Sequence, residues 1–133
     1  MEEKKRKIII VDDDEFLLQL LVNEFTQLGF DVQTFTVGKD ALTFILKEEN
    51  LKGVFLMILD RLLPDMDGID ILREFVAKSK VKIPTLFLSV LHSEADILAG
   101  LQTGATDYIG KPFSLYQLVK KALNLLERQQ TKA

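Results

Sequence analysis

The chain has 133 residues, of which 47% are hydrophobic, so it can bury the core of one domain but not of two. Its net charge of −3 gives no sign of a basic surface that would bind nucleic acid or membranes over the whole protein. The absence of cysteine excludes disulfides and thiolate metal sites. No apolar run is long enough to span a membrane, and the basic start at Lys4 and Lys5 lacks a signal-peptide core. We therefore expect one cytoplasmic domain over residues 1–133, with a core from about 7 to 127.

Five short segments predict β-strands. Residues 8–11 and 54–59 are continuous apolar runs, which are typical of strands buried on both faces of a parallel sheet. Residues 31–35 alternate between apolar and polar, which favours an edge strand with one wetter face. Residues 84–89 and 107–110 are the fourth and fifth predicted strands. The proline at position 84 is compatible with the fourth, because proline is tolerated where a strand begins.

A helix is predicted after each of the first two strands. Asp14 can cap the first helix, whose apolar positions recur at helical spacing as far as Leu28, and Gly29 is a plausible stop. The second helix covers about 39–47, and the polar residues 48–50 form the next loop.

The later strands are also followed by predicted helices. The third helix runs from about 68 to 78 and includes Val76 on its apolar face. Ser93 and Asp96 resemble a capping box at the start of the fourth, and Ser114 starts the fifth. Strands that alternate with helices through five units predict an α/β fold, with a doubly wound parallel sheet in the order 2-1-3-4-5 and helices on both faces.

Polar residues lie at or just after the carboxyl ends of four of the predicted strands. They are Asp12 and Asp13 after the first, Asp60 after the third, Ser89 in the fourth and Lys111 after the fifth. Because the carboxyl ends of parallel strands meet at one edge of the sheet, we expect these side chains to share a pocket. Each residue alone has an ordinary interpretation: a turn-forming acid, a hydroxyl bonded to the backbone, or a surface lysine.

The predicted pocket favours a hard metal ion and a phosphoryl group. Three neighbouring carboxylates repel one another unless a cation joins them, and all-oxygen ligands favour Mg²⁺. Mg²⁺ commonly keeps positions open for phosphate oxygens. An aspartate can then carry a phosphoryl group as an acyl phosphate, while Ser89 and Lys111 contact its oxygens.

From residue 8 to about 126, the sequence resembles the receiver domain of two-component response regulators. The resemblance rests on four stretches: Ile10-Val-Asp-Asp-Asp14, Leu59-Asp-Arg-Leu-Leu-Pro-Asp-Met-Asp-Gly68, Phe87-Leu-Ser89 and Gly104-Ala-Thr-Asp-Tyr-Ile-Gly-Lys-Pro-Phe113. It implies that Asp60 is phosphorylated by a partner histidine kinase or phosphotransfer protein, or by small phosphodonors. The domain is then a signalling phosphoacceptor rather than an enzyme, although it assists its own phosphorylation and dephosphorylation.

The resemblance also implies a role for each site residue. Asp13 and Asp60 would bind Mg²⁺ directly, Asp12 would act through a water, and the backbone carbonyl of Leu62 would be a further ligand. Ser89 would be the switch hydroxyl that turns towards the phosphoryl group, and Tyr108 would be the aromatic that swings inward behind it. Lys111 would form an ion pair with the phosphoryl group, and the Lys111–Pro112 bond, which sets the following turn, would be cis. The responding surface would comprise the fourth helix, the fifth strand and the fifth helix.

The sequence departs from the family pattern beside the site. Ser89 stands where threonine is commoner, which predicts a looser switch, and Val90 stands where a small residue is usual, which predicts narrower access to Asp60. Leu62 and Leu91 offer no group to orient an attacking water, so we expect a long-lived phosphoryl-aspartate. Arg61 also flanks the site at a position thought to tune hydrolysis.

Two other functions compete with phosphorylation at Asp60. One is a receiver-like interaction module that is never phosphorylated. The other is a haloacid-dehalogenase-type phosphatase with Asp12 as nucleophile and Asp14 as acid, although Phe16 and the lack of an acidic pair after Lys111 argue against it. The sequence does not identify the kinase, the downstream target or output domain, or a phosphorylation-dependent dimer. It also does not distinguish a stand-alone receiver from a segment of a longer regulator.

Overall fold

Parallel strands and helices alternate along the whole of the described chain, residues 6–131 of a computed structural model. The strands are β1 (Lys7–Val11), β2 (Asp31–Phe35), β3 (Val54–Leu59), β4 (Thr85–Ser89) and β5 (Asp107–Gly110). The α-helices are α1 (Glu15–Gln27), α2 (Gly38–Ile45), α3 (Gly68–Lys78), α4 (Glu94–Thr103) and α5 (Leu115–Thr131). Lys4 and Lys5 lie outside the described residues.

The five strands form one parallel sheet in the order β2-β1-β3-β4-β5, which confirms the predicted topology. Successive side chains of a strand point to opposite faces, so the apolar runs of β1 and β3 feed two cores. Ile8 and Ile10 of β1 pack with α1 and α5, whereas Ile9 and Val11 pack with α2 and α3. This burial on both faces explains why these two strands have no polar alternation.

Local signals positioned most of the helix ends correctly. The Asp14 carboxylate accepts a hydrogen bond from the Leu17 N–H at 3.1 Å, and the Asp67 carboxylate accepts one from the Ile69 N–H at 2.8 Å. The capping box that Ser93 and Asp96 form at the start of α4 is also present. These caps satisfy backbone donors that have no partner inside their own helix.

Four expectations of local structure differ from the result. Leu28 forms the C-cap of α1 and is 44% exposed, and Val76 of α3 is 56% exposed, so neither belongs to the core. The helix α2 ends at Ile45 rather than near 47, and the expected loop after it contains a 3₁₀ helix, Glu48–Leu51. The residue that α3 buries instead of Val76 is Ile71, because the sheet contacts a face rotated from the one that the apolar spacing favoured.

None of the helices in the described part of the chain combines the length and the apolar character needed to cross a membrane.

Candidate functional site

The carboxyl ends of β1, β3 and β5 bring two acids and one lysine into direct contact. The Lys111 Nζ donates to Asp12 Oδ2 at 2.6 Å and to Asp60 Oδ2 at 2.8 Å. Asp12 and Asp60 are 48 residues apart in sequence, but β1 and β3 are neighbours, and the Asp60 N–H donates to the Val11 carbonyl at 2.9 Å. The sheet order therefore assembles the predicted pocket.

Each of these acids also holds its own turn. The other oxygen of Asp12 accepts the Asp14 N–H at 3.0 Å, and the other oxygen of Asp60 accepts the Leu62 N–H at 3.1 Å. Such bonds two residues along the chain are typical of aspartate at a turn. The turn interpretation therefore holds, and the second oxygen of each carboxylate accepts a hydrogen bond from Lys111.

Burial raises the free-energy cost of charging the two acids and the lysine of this cluster. Asp12 is 1% exposed and Asp60 is 4% exposed. Burial raises the pKa of Asp12, and this effect outweighs the opposing hydrogen bond from Lys111. Burial alone would lower the pKa of Lys111, but its hydrogen bonds to Asp12 and Asp60 overcome that effect and raise it. The interpretation of Lys111 as a surface lysine is therefore wrong.

A third carboxylate completes a set that can hold a metal ion. Carboxylate oxygens of Asp12, Asp13 and Asp60 all lie within 4.8 Å of one another, and Asp13 is exposed to solvent. This geometry and the all-oxygen donors fit a hard divalent ion that retains waters on its open side. The side chain of Leu62 is about half exposed beside the set.

Ser89 is the last residue of β4 and Tyr108 lies on β5, the two strands beyond β3 in the sheet. Ser89 is fully buried, and its Oγ accepts the Leu91 N–H at 3.3 Å, as expected for a strand-end hydroxyl. Its carbonyl accepts the Lys111 N–H at 2.8 Å, which joins the end of β4 to the start of the connection between β5 and α5. The Lys111–Pro112 peptide is cis, as the resemblance predicts.

Tyr108 points inward rather than into solvent. It is 8% exposed, its ring packs against Phe87 with 5.6 Å between centroids, and its hydroxyl donates to the Leu91 carbonyl. A side chain at Gly100 of α4 would collide with both rings, so this glycine lets α4 approach the sheet. Burial raises the pKa of Tyr108, while a hydrogen bond from Arg61 opposes the rise.

The comparisons with known proteins agree on one family. Residues 8–123 match the family model described as the response regulator receiver domain. The chain belongs to the response regulator receiver family. Within 100 matched residues it is 43% identical to the transcriptional regulatory protein TrcR of Mycobacterium tuberculosis, covering 75% of this chain and 37% of TrcR.

Two further similarities support the receiver assignment. The chain is 36% identical over 100 residues to the response regulator SaeR of Staphylococcus aureus, covering 75% of this chain and 41% of SaeR. It superposes on a CheY-like receiver domain protein of Methanospirillum hungatei with a TM-score of 0.87 and 25% identity, covering 98% and 100% of the two chains. The chain therefore spans about two fifths of the length of the curated relatives it matches.

This family membership confirms the predicted fold and the predicted signalling role. The protein is a receiver domain of two-component response regulators, a class of protein that interacts with histidine kinases.

One residue that braces this edge of the sheet, Asp65, was not predicted from the sequence. Asp65 lies in the loop between β3 and α3, yet its two oxygens accept the Gly38 and Lys39 N–H groups at the start of α2, both at 2.8 Å. The hydrogen bond from Lys39 is the main reason why the pKa of Asp65 is lowered. Residue 37, at the N-cap of α2, is a valine with no capping side chain, and this absence was the one signal available in the sequence.

Arg61 was expected beside Asp60, but the direction of its side chain was not. Its guanidinium points to Asp67, with Nε and Nη2 donating to the two carboxylate oxygens at 3.2 and 3.1 Å. Nη1 reaches the Asp96 carbonyl at 3.4 Å. No local pattern predicts the last contact, because it joins residues that are 35 positions apart.

Proposed function

We propose that Asp60 of this receiver domain accepts a phosphoryl group in a reaction that depends on Mg²⁺. Support comes from its position at the end of β3, its contact with Lys111 and the adjoining carboxylates of Asp12 and Asp13. The observation that carries the proposal is the single Lys111 ammonium shared by Asp12 and Asp60. Lys111 holds the Asp60 carboxylate in place and puts a positive charge where phosphoryl oxygens would bind, which suits a nucleophile in phosphoryl transfer.

The transfer forms one bond and breaks one bond. A carboxylate oxygen of Asp60 forms a bond to phosphorus, while the bond between phosphorus and the donor breaks and its electron pair leaves with the donor. The donor is the phosphohistidine of a kinase or phosphotransfer protein, or a small acyl phosphate. Bound Mg²⁺ would neutralise charge on the phosphoryl oxygens, held by Asp13 and Asp60 directly, by Asp12 through water and by the Leu62 carbonyl.

Lys111 is proposed to exchange partners during this reaction. Once Asp60 becomes an acyl phosphate, its carboxylate no longer carries a full charge, and the nearest strong acceptors are the new phosphoryl oxygens. The ammonium, now 2.8 Å from Asp60 Oδ2, needs to move little to pair with them. Asp12, at 2.6 Å, remains its second partner.

Ser89 and Tyr108 are the proposed switch residues. The Ser89 hydroxyl would turn from the Leu91 N–H towards the phosphoryl group, and Tyr108 would hold its inward position behind it. The surface of α4, β5 and α5 would carry this change to a downstream target or output domain. We place the domain in the cytoplasm, treat residues 1–133 as one unit, and regard its chemistry as self-assisted phosphotransfer and dephosphorylation rather than turnover of an external substrate.

Acetyl phosphate with Mg²⁺ tests the proposal directly. Intact-mass measurement should reveal one added phosphoryl group in the wild-type protein, lost on addition of EDTA beforehand and absent from Asp60→Asn. Asp70→Asn is the matched control, because Asp70 is an exposed acid of α3 whose side chain forms an ion pair with Arg73 at 2.7 Å. Full labelling of Asp60→Asn would contradict the assignment.

The same measurement separates the alternatives. A receiver-like interaction module would remain unlabelled in every variant while still folding. A dehalogenase-type phosphatase would lose its activity with Asp12→Asn and retain it with Asp60→Asn. In our proposal, Asp12→Asn instead weakens the binding of Mg²⁺ but leaves Asp60 available as the acceptor.

A further inference from the structure

The Arg61 guanidinium joins three elements that the reaction itself does not use. Its side chain is only 11% exposed, and its nitrogens contact Asp67 at the start of α3 and Asp96 at the start of α4. The hydrogen bond to Asp67 raises the pKa of Arg61, and an interaction with the hydroxyl of Tyr108 on β5 adds to this rise. A partly buried arginine with such partners is held by charge and geometry together, which a single surface ion pair is not.

Each partner of Arg61 also caps a helix or contacts a connecting segment. Asp67 caps α3 through the Ile69 N–H at 2.8 Å. Asp96 forms the capping box of α4 with Ser93, through bonds of 3.1 and 3.2 Å. Tyr108 donates to the Leu91 carbonyl in the connection between β4 and α4. A displacement of Arg61 would therefore be felt at both helix starts and in that connection.

The backbone of Arg61 is fixed to the phosphoacceptor. Arg61 follows Asp60 directly, and its carbonyl accepts the Gly68 N–H at 2.9 Å, which closes the loop between β3 and α3. The guanidinium thus begins at the residue next to the reacting carboxylate and ends on α4, an element that contributes no ligand to the acid cluster.

We propose that Arg61 is a positioning residue that couples the Asp60 loop to the amino end of α4 and to the inward position of Tyr108. The inference rests on the proposed function for its signalling meaning, since the change at Asp60 is what the coupling transmits. Its structural part does not depend on phosphorylation. Arg61 holds α4 and Tyr108 against the loop in the free protein as well.

The first experiment uses the free protein and the substitution Arg61→Ala. Hydrogen exchange of the backbone amides at 94–97 should become about tenfold faster, because the charge-assisted bonds to α4 are lost. With 3-fluorotyrosine incorporated, the ¹⁹F signal of Tyr108 should broaden and gain solvent sensitivity. The signal of Tyr116, which is 72% exposed, is the internal reference.

Two further variants separate this role from a general loss of stability. Arg73→Ala removes an exposed arginine whose bridge to Asp70 stays within α3, so it should change neither the α4 exchange nor the Tyr108 signal. Arg61→Lys keeps the charge but loses the planar pair of donors, so it should restore the α4 protection only in part.

The second experiment adds beryllium fluoride and Mg²⁺, which mimic the phosphoryl group on aspartate. In the wild-type protein, occupancy should change both the α4 exchange and the Tyr108 signal. In Arg61→Ala, the compound should still bind, but the responses of α4 and Tyr108 should be at least about threefold smaller. A purely structural role would raise exchange equally in both states and preserve the response.

The outcomes distinguish the two proposals. If Arg61→Ala leaves the free-state exchange of 94–97 and the Tyr108 signal at wild-type values, the inference is overturned. If the wild-type protein never responds to beryllium fluoride or acetyl phosphate, the phosphoacceptor proposal fails, while the free-state comparison still decides the structural role of Arg61. An intact response in a properly folded Arg61→Ala protein also overturns the inference.

Discussion

The two connections that flank the site differ sharply in how firmly they are held. The β3–α3 connection, residues 60–67, bonds to itself through the Leu62 and Gly68 N–H groups and to α2 through Asp65. Apart from the capping box that joins Ser93 to Asp96 of α4, the β4–α4 connection, residues 90–93, is held by the 3.3 Å bond from the Leu91 N–H to Ser89 and by the hydroxyl of Tyr108, and Val90 is 56% exposed. Segments with fewer ties open at lower free energy. We therefore predict that the first connection is a rigid platform and that the second is the more mobile of the two.

The largest expected effect comes from breaking the platform at Gly68. A side chain at this position would collide with the backbone carbonyl of Asp60, which cannot move without displacing β3. We expect Gly68→Ala to lower the free energy of unfolding by about 3 kcal/mol, as measured by urea denaturation.

Gly38→Ala is the matched control, because Gly38 also begins a helix, but a side chain there meets mainly the flexible end of Met66. It should cost less than about 1 kcal/mol. Equal losses in the two variants would show that the β3–α3 loop is less rigid than its hydrogen bonds indicate.

The next effect concerns hydrolysis, where the two connections are alike. Leu62 on the platform and Leu91 on the mobile side both lack a group that can orient water, so the phosphorylated protein should persist for minutes or longer. Leu62→Asn should shorten its lifetime about tenfold, because Leu62 is about half exposed and an amide there can position water. The decay is followed by intact mass, with the exposed Leu98→Asn on α4 as control. A wild-type lifetime of seconds contradicts the prediction.

A smaller effect sharpens the role of Asp65 as a clamp between the platform and α2. Asp65→Ala leaves the Gly38 and Lys39 N–H groups without their acceptor, so the thermal midpoint should fall by about 4 °C. Asp40→Ala removes an acid from the first turn of α2 without removing this cap, and its midpoint should change by about 1 °C. Similar shifts in the two variants would mean that general charge, rather than the cap, stabilises α2.

The smallest effect is a pH dependence in Mg²⁺-free buffer. Burial raises the pKa of Asp12 in the folded protein above its unfolded value. Between those two values, the folded state binds more protons than the unfolded state, so stability falls as pH rises and the burial cost is fully present above the folded pKa. Urea denaturation from pH 4 to 8 should show this fall in the wild-type protein and a weaker one in Asp12→Asn. The exposed Asp70→Asn variant should retain the wild-type slope.

Sequence alone was sufficient for the elements and for the acids of the site. Apolar runs that end in Asp12 and Asp60 predicted strands, and parallel strands bring their carboxyl ends to one edge. Short-range signals also predicted the caps at Asp14 and Ser93, because each capping bond joins residues three positions apart. Capping bonds can be predicted from sequence because the short chain between their two residues limits the geometry, whatever the tertiary structure.

Only the tertiary structure decided how the connections are braced. The bonds from Asp65 to α2 and from Arg61 to α4 join residues 27 and 35 positions apart, and Tyr108 reaches Leu91 from another strand. The direction of a long side chain depends on which neighbours remain after the helices have packed on the sheet. For that reason the sequence determined where the acids and the lysine of the proposed phosphoryl site meet, while the packing of α2, α3 and α4 determined which residues hold that site in place.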